Sequence, residues 1–511
     1  MTIRPSRILS GGAALLACAL ASGAWAGTLY VDANVSTDCS TYDAASRACG
    51  GGSAQVYRTL TSGVAAAAAG DVVDVRAGTY RERLIPPRSG SSTAPITIRG
   101  HQGETATITG SSDAALFLQG RSWLVIENLT VDNVGGWARL EDASSNVLRN
   151  NRFTRATVEG TTGGIKLVRA TGNRISGNVI EDGNDNIVIQ ESDRNVIEDN
   201  TVSEGRHSLF SLRCGSYNVI RGNTFRNTQQ KIGEIYDCEG TSDAPVKLDA
   251  TKRNLVDGNR FAWTLASSED YRYNGIQYSG QQGIVRRNDF YDNQGGALNF
   301  QVYSDEALYN YGHRVYNNTF FKNRCSAVAA SGSSTSARYT NNRVTGNLLY
   351  QNTNCSGSGG QTGIANTTAV VFTNNASVTT APPFVNETAR DLQLQASSPL
   401  INTGVFVTQT SSAGSGTSLP VADVYPFYDG FGIAGEVGDL IQLQNDTRTA
   451  RIVSIDYAGG RLTLDRSLDW SSGQGVHLSY SGSAPEPGAH EVGGSASDVK
   501  PNPPTNLRVT N

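Results

Sequence analysis

NVLRNN (146–151), NRISGN (173–178), NVIEDN (195–200), NVIRGN (218–223) and NLVDGN (254–259) repeat one frame: an Asn, four residues, a second Asn. GIVRRN (283–288), HRVYNN (313–318) and NRVTGN (342–347) continue it, the first two without the leading Asn. Each frame encloses β-branched or Leu residues, and successive frames lie 22 to 36 residues apart. A period of that length, with one strand-sized apolar run per unit, is the signature of one coil of a solenoid. Within NIVIQESDRNVIEDNTV (186–202) the pattern predicts a strand at IVIQ, a turn at ESDR, a second strand at NVIED and a turn at Asn200. Strand alternation then turns Ile187 and Ile189 inward and Val188 and Gln190 outward. Stacked units make parallel sheets around an inner column of Ile, Val, Leu and Phe. The Asn amides are expected to bond from coil to coil and to occupy corners, where Asn tolerates left-handed backbone.

The flanks of the repeat read differently. Residues 1–26 have the form of a signal peptide: Arg4 and Arg7, an apolar stretch from Ile8 to Leu20, and an A-x-A site at Ala24-Trp25-Ala26. Leu15-Leu16-Ala17-Cys18 offers a lipoprotein signal as the rival reading; either predicts a secreted or periplasmic protein. No later run is long enough to span a bilayer. Residues 27–121 read as an N-terminal cap and first coils, with an Ala-rich segment, Thr59 to Gly70, expected to form a short helix over the open end. Coils are expected over 122–404. Residues 405–490 alternate strictly, with hairpin turns at Ala458-Gly459-Gly460 and Ser471-Ser472-Gly473. They read as a small antiparallel β module packed on the C-terminal end. Residues 491–511 form a Pro-rich tail, expected to be disordered.

The formal net charge of −4 becomes more negative when Arg4 and Arg7 leave with the leader. That mild acidity argues against nucleic-acid binding, which requires a basic stripe, and makes any anion site local. Removal of Cys18 leaves six of the seven cysteines, and export makes disulfides the expectation. Cys39–Cys49 would close a small loop. Cys214 with Cys238, and Cys325 with Cys355, lie about one coil apart. No CxxC or His-Cys spacing suggests zinc.

GDVVDVRAGTYRE (70–82), PITIRG (95–100) and the N-x-I-x-x-N-x-F coils resemble the right-handed parallel β-helix proteins of the pectin-lyase-like superfamily. SPLINTG (398–404) and the late GAHE (488–491) resemble the exit of bacterial members. The resemblance implies an all-β fold: a right-handed parallel β-helix with an N-terminal cap. The superfamily holds lyases, polygalacturonases, epimerases, tailspikes and adhesins, so fold alone does not choose an activity. The pattern is most similar to the alginate and chondroitin-B lyase branch, which implies a Lys base and an Arg beside a calcium held by acidic residues. GEIYD (233–237) stands where that branch has its acidic segment, with Glu234 at one calcium-binding position and Ile232 at the other. Glu239 or Ala250 falls at the base position and Tyr278 at the Arg position. The paired Asp-Asp and Gly-His-Gly of polygalacturonases are missing from the sequence.

One neighbourhood, 205–240, concentrates the chemistry. If Phe210 and Leu212 face inward, Ser211 and Arg213 face out. One coil later Lys231, Glu234 and Asp237 are expected outside, followed by Lys247 and Asp249 and then by Gln277 and Tyr278. Such side chains stack roughly 4.8 Å apart along a solenoid, so a sugar polymer lying along it meets them in turn. Elimination from a uronate needs a cation to stabilise the enolate, a base for the C5 proton and an acid for the leaving oxygen. Lys231 or His207 is the candidate base, Arg213 the carboxylate clamp, and Tyr236 or Tyr278 the acid. Lys247, Gln277 and Arg272 are candidate substrate-binding residues. Glu234, Asp237 and Asp249 are candidate ligands for Ca2+. Against these, Lys231 with Glu234 also reads as an ion pair, and Asp182, Asp185 and Glu191 read as turn formers. The sequence thus points to a monomer acting on an acidic polysaccharide, by β-elimination or as a paired-carboxylate glycoside hydrolase. A non-catalytic glycan-binding protein is the third reading.

Overall fold

The computed structural model describes residues 27–158, 163–237, 251–264, 275–301, 310–331, 339–353, 370–379 and 383–493. Lys247, Asp249, Arg272 and the C-terminal tail from 494 lie outside them. The chain winds into a parallel β-helix with two long sheets, of 16 and 19 strands. That nearly all coil strands enter just two ladders is what makes it a solenoid. In the first sheet Ile126, Leu148, Ile175, Ile197, Ile220, Val256, Val285, Val315 and Val344 stand in register, one per coil. All belong to one continuous core. In the second sheet the Phe of each N-x-F supplies a parallel column. Phe225, Phe261, Phe290 and Phe320 stack at ring-centre distances of 5.4, 4.8 and 4.9 Å. Ile187 and Ile189 join the core as expected, with Val188 outside it.

The Asn frame forms two buried amide ladders. The amide N–H and Nδ2 of Asn178 both donate to Asn200 Oδ1 (2.9 and 3.0 Å), and those of Asn200 donate to Asn223 Oδ1 (2.9 and 3.0 Å). Asn200 Nδ2 also donates to the Ile175 carbonyl at 2.9 Å. Each rung thus satisfies backbone groups at a corner where strands cannot. The left-handed residue is the one preceding the second ladder Asn, such as Asn150, Gly177, Asp199 and Gly222. The ladder Asn residues are therefore placed by amide bonding rather than by backbone tolerance. Where the leading Asn is missing, His313 serves: its Nδ1 accepts from Gly283 N (3.0 Å), and its own N–H donates to Asn342 Oδ1 (2.9 Å). Full burial holds that imidazole's pKa down at about 3, hence neutral and able to accept.

A short helix, Leu60–Ala66, covers the N-terminal end. Thr59 Oγ1 accepts from Ser62 N (3.1 Å) and Glu82 accepts from Leu60 N (3.1 Å) and Thr61 N (3.0 Å), which caps its first turn. Cys39 and Cys49 are disulfide-bonded. Cys214 and Cys325 are also disulfide-bonded; the partners expected for them, Cys238 and Cys355, lie outside the described residues.

Residues of the C-terminal module form a six-stranded antiparallel sheet. The module does not sit on the end of the solenoid, as the sequence suggested, but along its flank. Val196, Val219, Leu255, Ile284 and Tyr316, outward on the first sheet, share a core with Val424, Phe427, Tyr428 and Phe431. The outer face of that sheet carries an apolar stripe, so the module buries area there that an end-on position would leave wet. Ion pairs fix it: Arg221 Nη2 donates to Glu436 Oε1 (2.9 Å), Arg286 donates twice to Asp439 (2.7 and 2.7 Å), and Arg314 Nε donates to Asp423 (2.7 Å).

Candidate active site

The site lies on the outer face of the second sheet, along strands Val179–Gln190, Thr201–Arg213, Lys231–Tyr236 and Ile276–Tyr278. Register places Ser211, Glu234 and Gln277 in one outward column. Asp185, Ser208 and Lys231 form a second, and Gln190, Arg213 and Tyr236 a third. The inward neighbours Phe210, Leu212 and Ile235 are core. Gly233 stands over Phe210, and a Cβ there would meet that ring at 2.2 Å, so the sequence needs Gly to keep the strand seated beneath the site.

The ladder slips by one residue between the pairs Gly183–Gly205 and Asp185–Ser208. This bulge brings His207 beside Asp185: Nδ1 lies 2.7 Å from Asp185 Oδ1, and Nε2 lies 3.9 Å from Glu234 Oε1. Ser208 Oγ donates to the same Asp185 oxygen at 2.5 Å. The bond to Asp185 raises the His207 pKa against partial burial, helped by the charge of Glu234 and opposed by Lys231. Burial pushes the Asp185 carboxyl up, but the hydrogen bonds from His207 and Ser208 outweigh it and leave the pKa lowered.

Beside this pair, Lys231 Nζ contacts Glu234 Oε1 and lies 3.4 Å from the Tyr236 hydroxyl. That hydroxyl donates to Glu234 Oε1 at 2.6 Å and lies 2.9 Å from Gln277 Oε1. With its one proton on the carboxylate, it accepts from the Gln277 amide once that amide is turned. The Arg213 guanidinium carbon sits 5.4 Å from the centre of the Tyr236 ring. Lys166, two coils toward the N-terminus in the column of Ser211, is held below the usual lysine pKa by burial and by the charges of Arg139 and Arg213.

The structure therefore brings together His207, Arg213, Lys231, Glu234, Tyr236 and Gln277. It does not bring in Tyr278, which pairs in register with Ile235 and is fully buried, its ring edge on His313. Alternation along the strand, with Gln277 outward, forces it inward. Asp237 is fully buried at the turn after the strand, its N–H donating to Ser279 Oγ (3.2 Å). Asp185 proves to be a buried partner of His207 rather than a turn former. It escaped the sequence reading because a bulge shifts the pairing by one residue, and nothing in GNDNIVIQ (183–190) marks a bulge. Lys166 was missed for want of register across the long coil, although IKLV (165–168) alternates plainly.

As calcium ligands the residues in view fit poorly. Glu234 is already engaged by an ammonium and a hydroxyl, where Ca2+ calls for six to eight oxygen donors. Among the described residues no three His, Cys, Asp or Glu side chains are grouped to hold a metal.

Residues 114–259 match the family model described as a right handed beta helix region. The uncharacterized protein YwoF of Bacillus subtilis (strain 168) is 24% identical over 312 residues, 58% of this chain and 64% of that protein. The chain thus spans a little under two thirds of that relative's length. Among solved structures, pectate lyase Pel9A superposes with a TM-score of 0.46 at 15% identity, over 77% of this chain and 95% of that one. The A-module of the Azotobacter vinelandii mannuronan C-5 epimerase AlgE6 gives 0.43 at 13% identity, over 61% and 91%. An alginate lyase from Paenibacillus sp. str. FPU-7 gives 0.37 at 17%, over 54% and 88%. The matched coils and the coil-to-coil register make the described chain a parallel β-helix, right-handed over the 114–259 region that the family model describes.

Proposed function

We propose that this is a secreted polysaccharide lyase that cleaves an acidic polysaccharide by β-elimination on the outer face of the second sheet. The observation that carries the reading is that His207, steadied by Asp185, and the Tyr236 hydroxyl converge on the same Glu234 oxygen, with Arg213 beside the Tyr236 ring. A uronate carboxylate bonds to Arg213, which draws charge from the enolate that forms at C5–C6. His207 Nε2 takes the C5 proton while Asp185 keeps the proton on Nδ1. Electrons from the broken C–H bond form the C4–C5 double bond, and the C4–O bond breaks. Tyr236 gives its proton to the departing oxygen. Lys231 stays an ammonium beside Glu234 and holds the carboxylate that orients Tyr236, so the base is His207 rather than Lys231. Calcium held by Glu234, Asp237 and Asp249 stays a proposal untouched by these steps, since Asp249 lies outside the described residues and none of the steps uses a metal.

A second reading, hydrolysis by paired carboxylates, is favoured by one feature: Asp185 and Glu234 flank the same imidazole. Incubation of the protein with alginate, pectate and glycosaminoglycans separates the two. Growth of the ultraviolet absorbance of an unsaturated uronate, lost in Arg213→Ala, is expected. New reducing ends without that absorbance mean hydrolysis, and neither, with binding intact, sinks both.

A further inference from the structure

The outer face of the first sheet carries a column of alternating charge. Asp74, Arg99, Glu127 and Arg149 stand in register on successive strands, and after Ser176 the column resumes as Glu198, Arg221, Asp257 and Arg286. In the half under the C-terminal module one unit occurs twice. Glu198 is held by Arg174 and Arg221, and the module lays Glu436 across both arginines. Asp257 is held by Arg286 and Arg287, and the module sets Asp439 bidentately on Arg286. Each unit is a column carboxylate, two basic side chains, and a second carboxylate arriving from outside.

A third unit stands uncovered near the N-terminal end. Asp74 accepts from Arg99 Nε at 3.0 Å through Oδ2, and its Oδ1 lies 2.6 Å from His101 Nδ1. Among the described residues the two Nη atoms of Arg99 have no hydrogen-bond partner, and its side chain is 38% exposed where that of Arg286 is 1%. Outside them opens a cavity of about 650 Å³, lined also by Gln102, Asn128 and two carboxylates already paired with arginines, Glu104 with Arg76 and Glu127 with Arg149. That volume suits a ligand of one or a few rings, and the lining offers donors and acceptors to hydroxyl groups.

We propose that this cavity is a second polysaccharide-binding site, which seats the carboxylate of an acidic sugar on Arg99 as Asp439 sits on Arg286. The identity of the ligand as a sugar rests on the lyase reading; the carboxylate follows from the two filled copies. The cavity is on the opposite sheet from His207, so it anchors polymer without touching the reacting residue.

The test uses the full chain with His207→Ala and Arg213→Ala together, which disables the first face, and a uronic-acid tetrasaccharide as probe in calorimetric titration. Binding is expected to persist in that parent and to weaken at least tenfold when Arg99→Gln is added. It is also expected to vanish when the tetrasaccharide carboxyls are reduced to alcohols. His101→Gln gives a second, milder loss, and unchanged melting of both variants shows that they fold. Equal binding with and without Arg99→Gln, or none in the parent, overturns the site. Competition by hexaglutamate as strong as the tetrasaccharide overturns the sugar assignment. Arg99→Gln in the otherwise unaltered protein is expected to raise the KM for long polymer. A protein that makes no unsaturated product would refute the lyase reading while leaving the titration fully interpretable.

Discussion

The outer faces of the two long sheets use the same side chains to opposite ends. On the first, the arginines and carboxylates from Arg174 to Arg286 are closed over by the module, whose Glu436 and Asp439 complete them, and Arg286 is buried as deeply as any core residue. On the second, the described residues pair within the solenoid's own coils: Lys231 with Glu234, His207 with Asp185. His207 keeps a side-chain exposure of 36%, with Nε2 3.9 Å from Glu234 Oε1. A solenoid flank is thus a neutral support. Whether charges there hold the molecule together or meet a ligand depends on whether another part of the chain lies over them.

Substitutions on the two faces are expected to part cleanly. The largest effect is on rate: His207→Ala should slow elimination about 10²–10⁴-fold with little change in melting, measured from initial rates of unsaturated product. On the covered face Asp439→Ala leaves the Arg286 guanidinium buried and short of a partner, at a cost of about 3–5 kcal/mol. A denaturant midpoint would read this, with the rate per folded molecule unchanged. Loss of activity matching the loss of folded protein in both variants would erase the distinction between the faces. Asn200→Ala strands two donors of Asn178 and the Ile175 carbonyl, for roughly 2–4 kcal/mol, and should destabilise either face equally.

Asp185→Asn sharpens the account of the open face. The bond to Asp185 favours the imidazolium, so a wild-type base works only as pH rises past its raised pKa. Loss of that charge should move the acid limb of the rate profile to lower pH while lowering the maximum rate; an unmoved limb means His207 is not the base.

The smallest expected effect is in the exit segment. Burial, the hydrogen bond with Glu486 and its charge raise the Glu491 pKa to about 9. An unfolded glutamate titrates at about 4.3, so between those values the unfolded chain releases a proton that the folded chain keeps. Stability is intact below that window and falls as pH rises through it. Glu491→Gln should therefore raise the melting temperature near pH 8 by roughly 2–4 °C and leave it unchanged in acid.

The solenoid was legible because each coil repeats one instruction: Asn at both corners, one apolar residue inward, Phe two residues past the second corner. Much of the site was legible too, since alternation places Ser211, Arg213 and Glu234 outward once Phe210 and Leu212 are inward. What failed was whatever depends on register between distant strands. Tyr278 faces the core because Gln277 takes the outer position, and Asp185 reaches His207 only through a bulge. The module lies along the flank because Val196, Val219, Leu255 and Ile284 form a stripe that is visible only after stacking.

The amide ladders have one more consequence. The coil from Asn178 to Asn200 spans 22 residues and that from Asn223 to Asn259 spans 36, yet both arrive at the same pair of hydrogen bonds. His313 shows that even the amide is dispensable if an acceptor stands at the peg. A segment spliced between two pegs therefore leaves the pitch of every later turn untouched. Lineages built this way can exchange one inter-peg loop for another as a cassette, without retuning the rest of the rod.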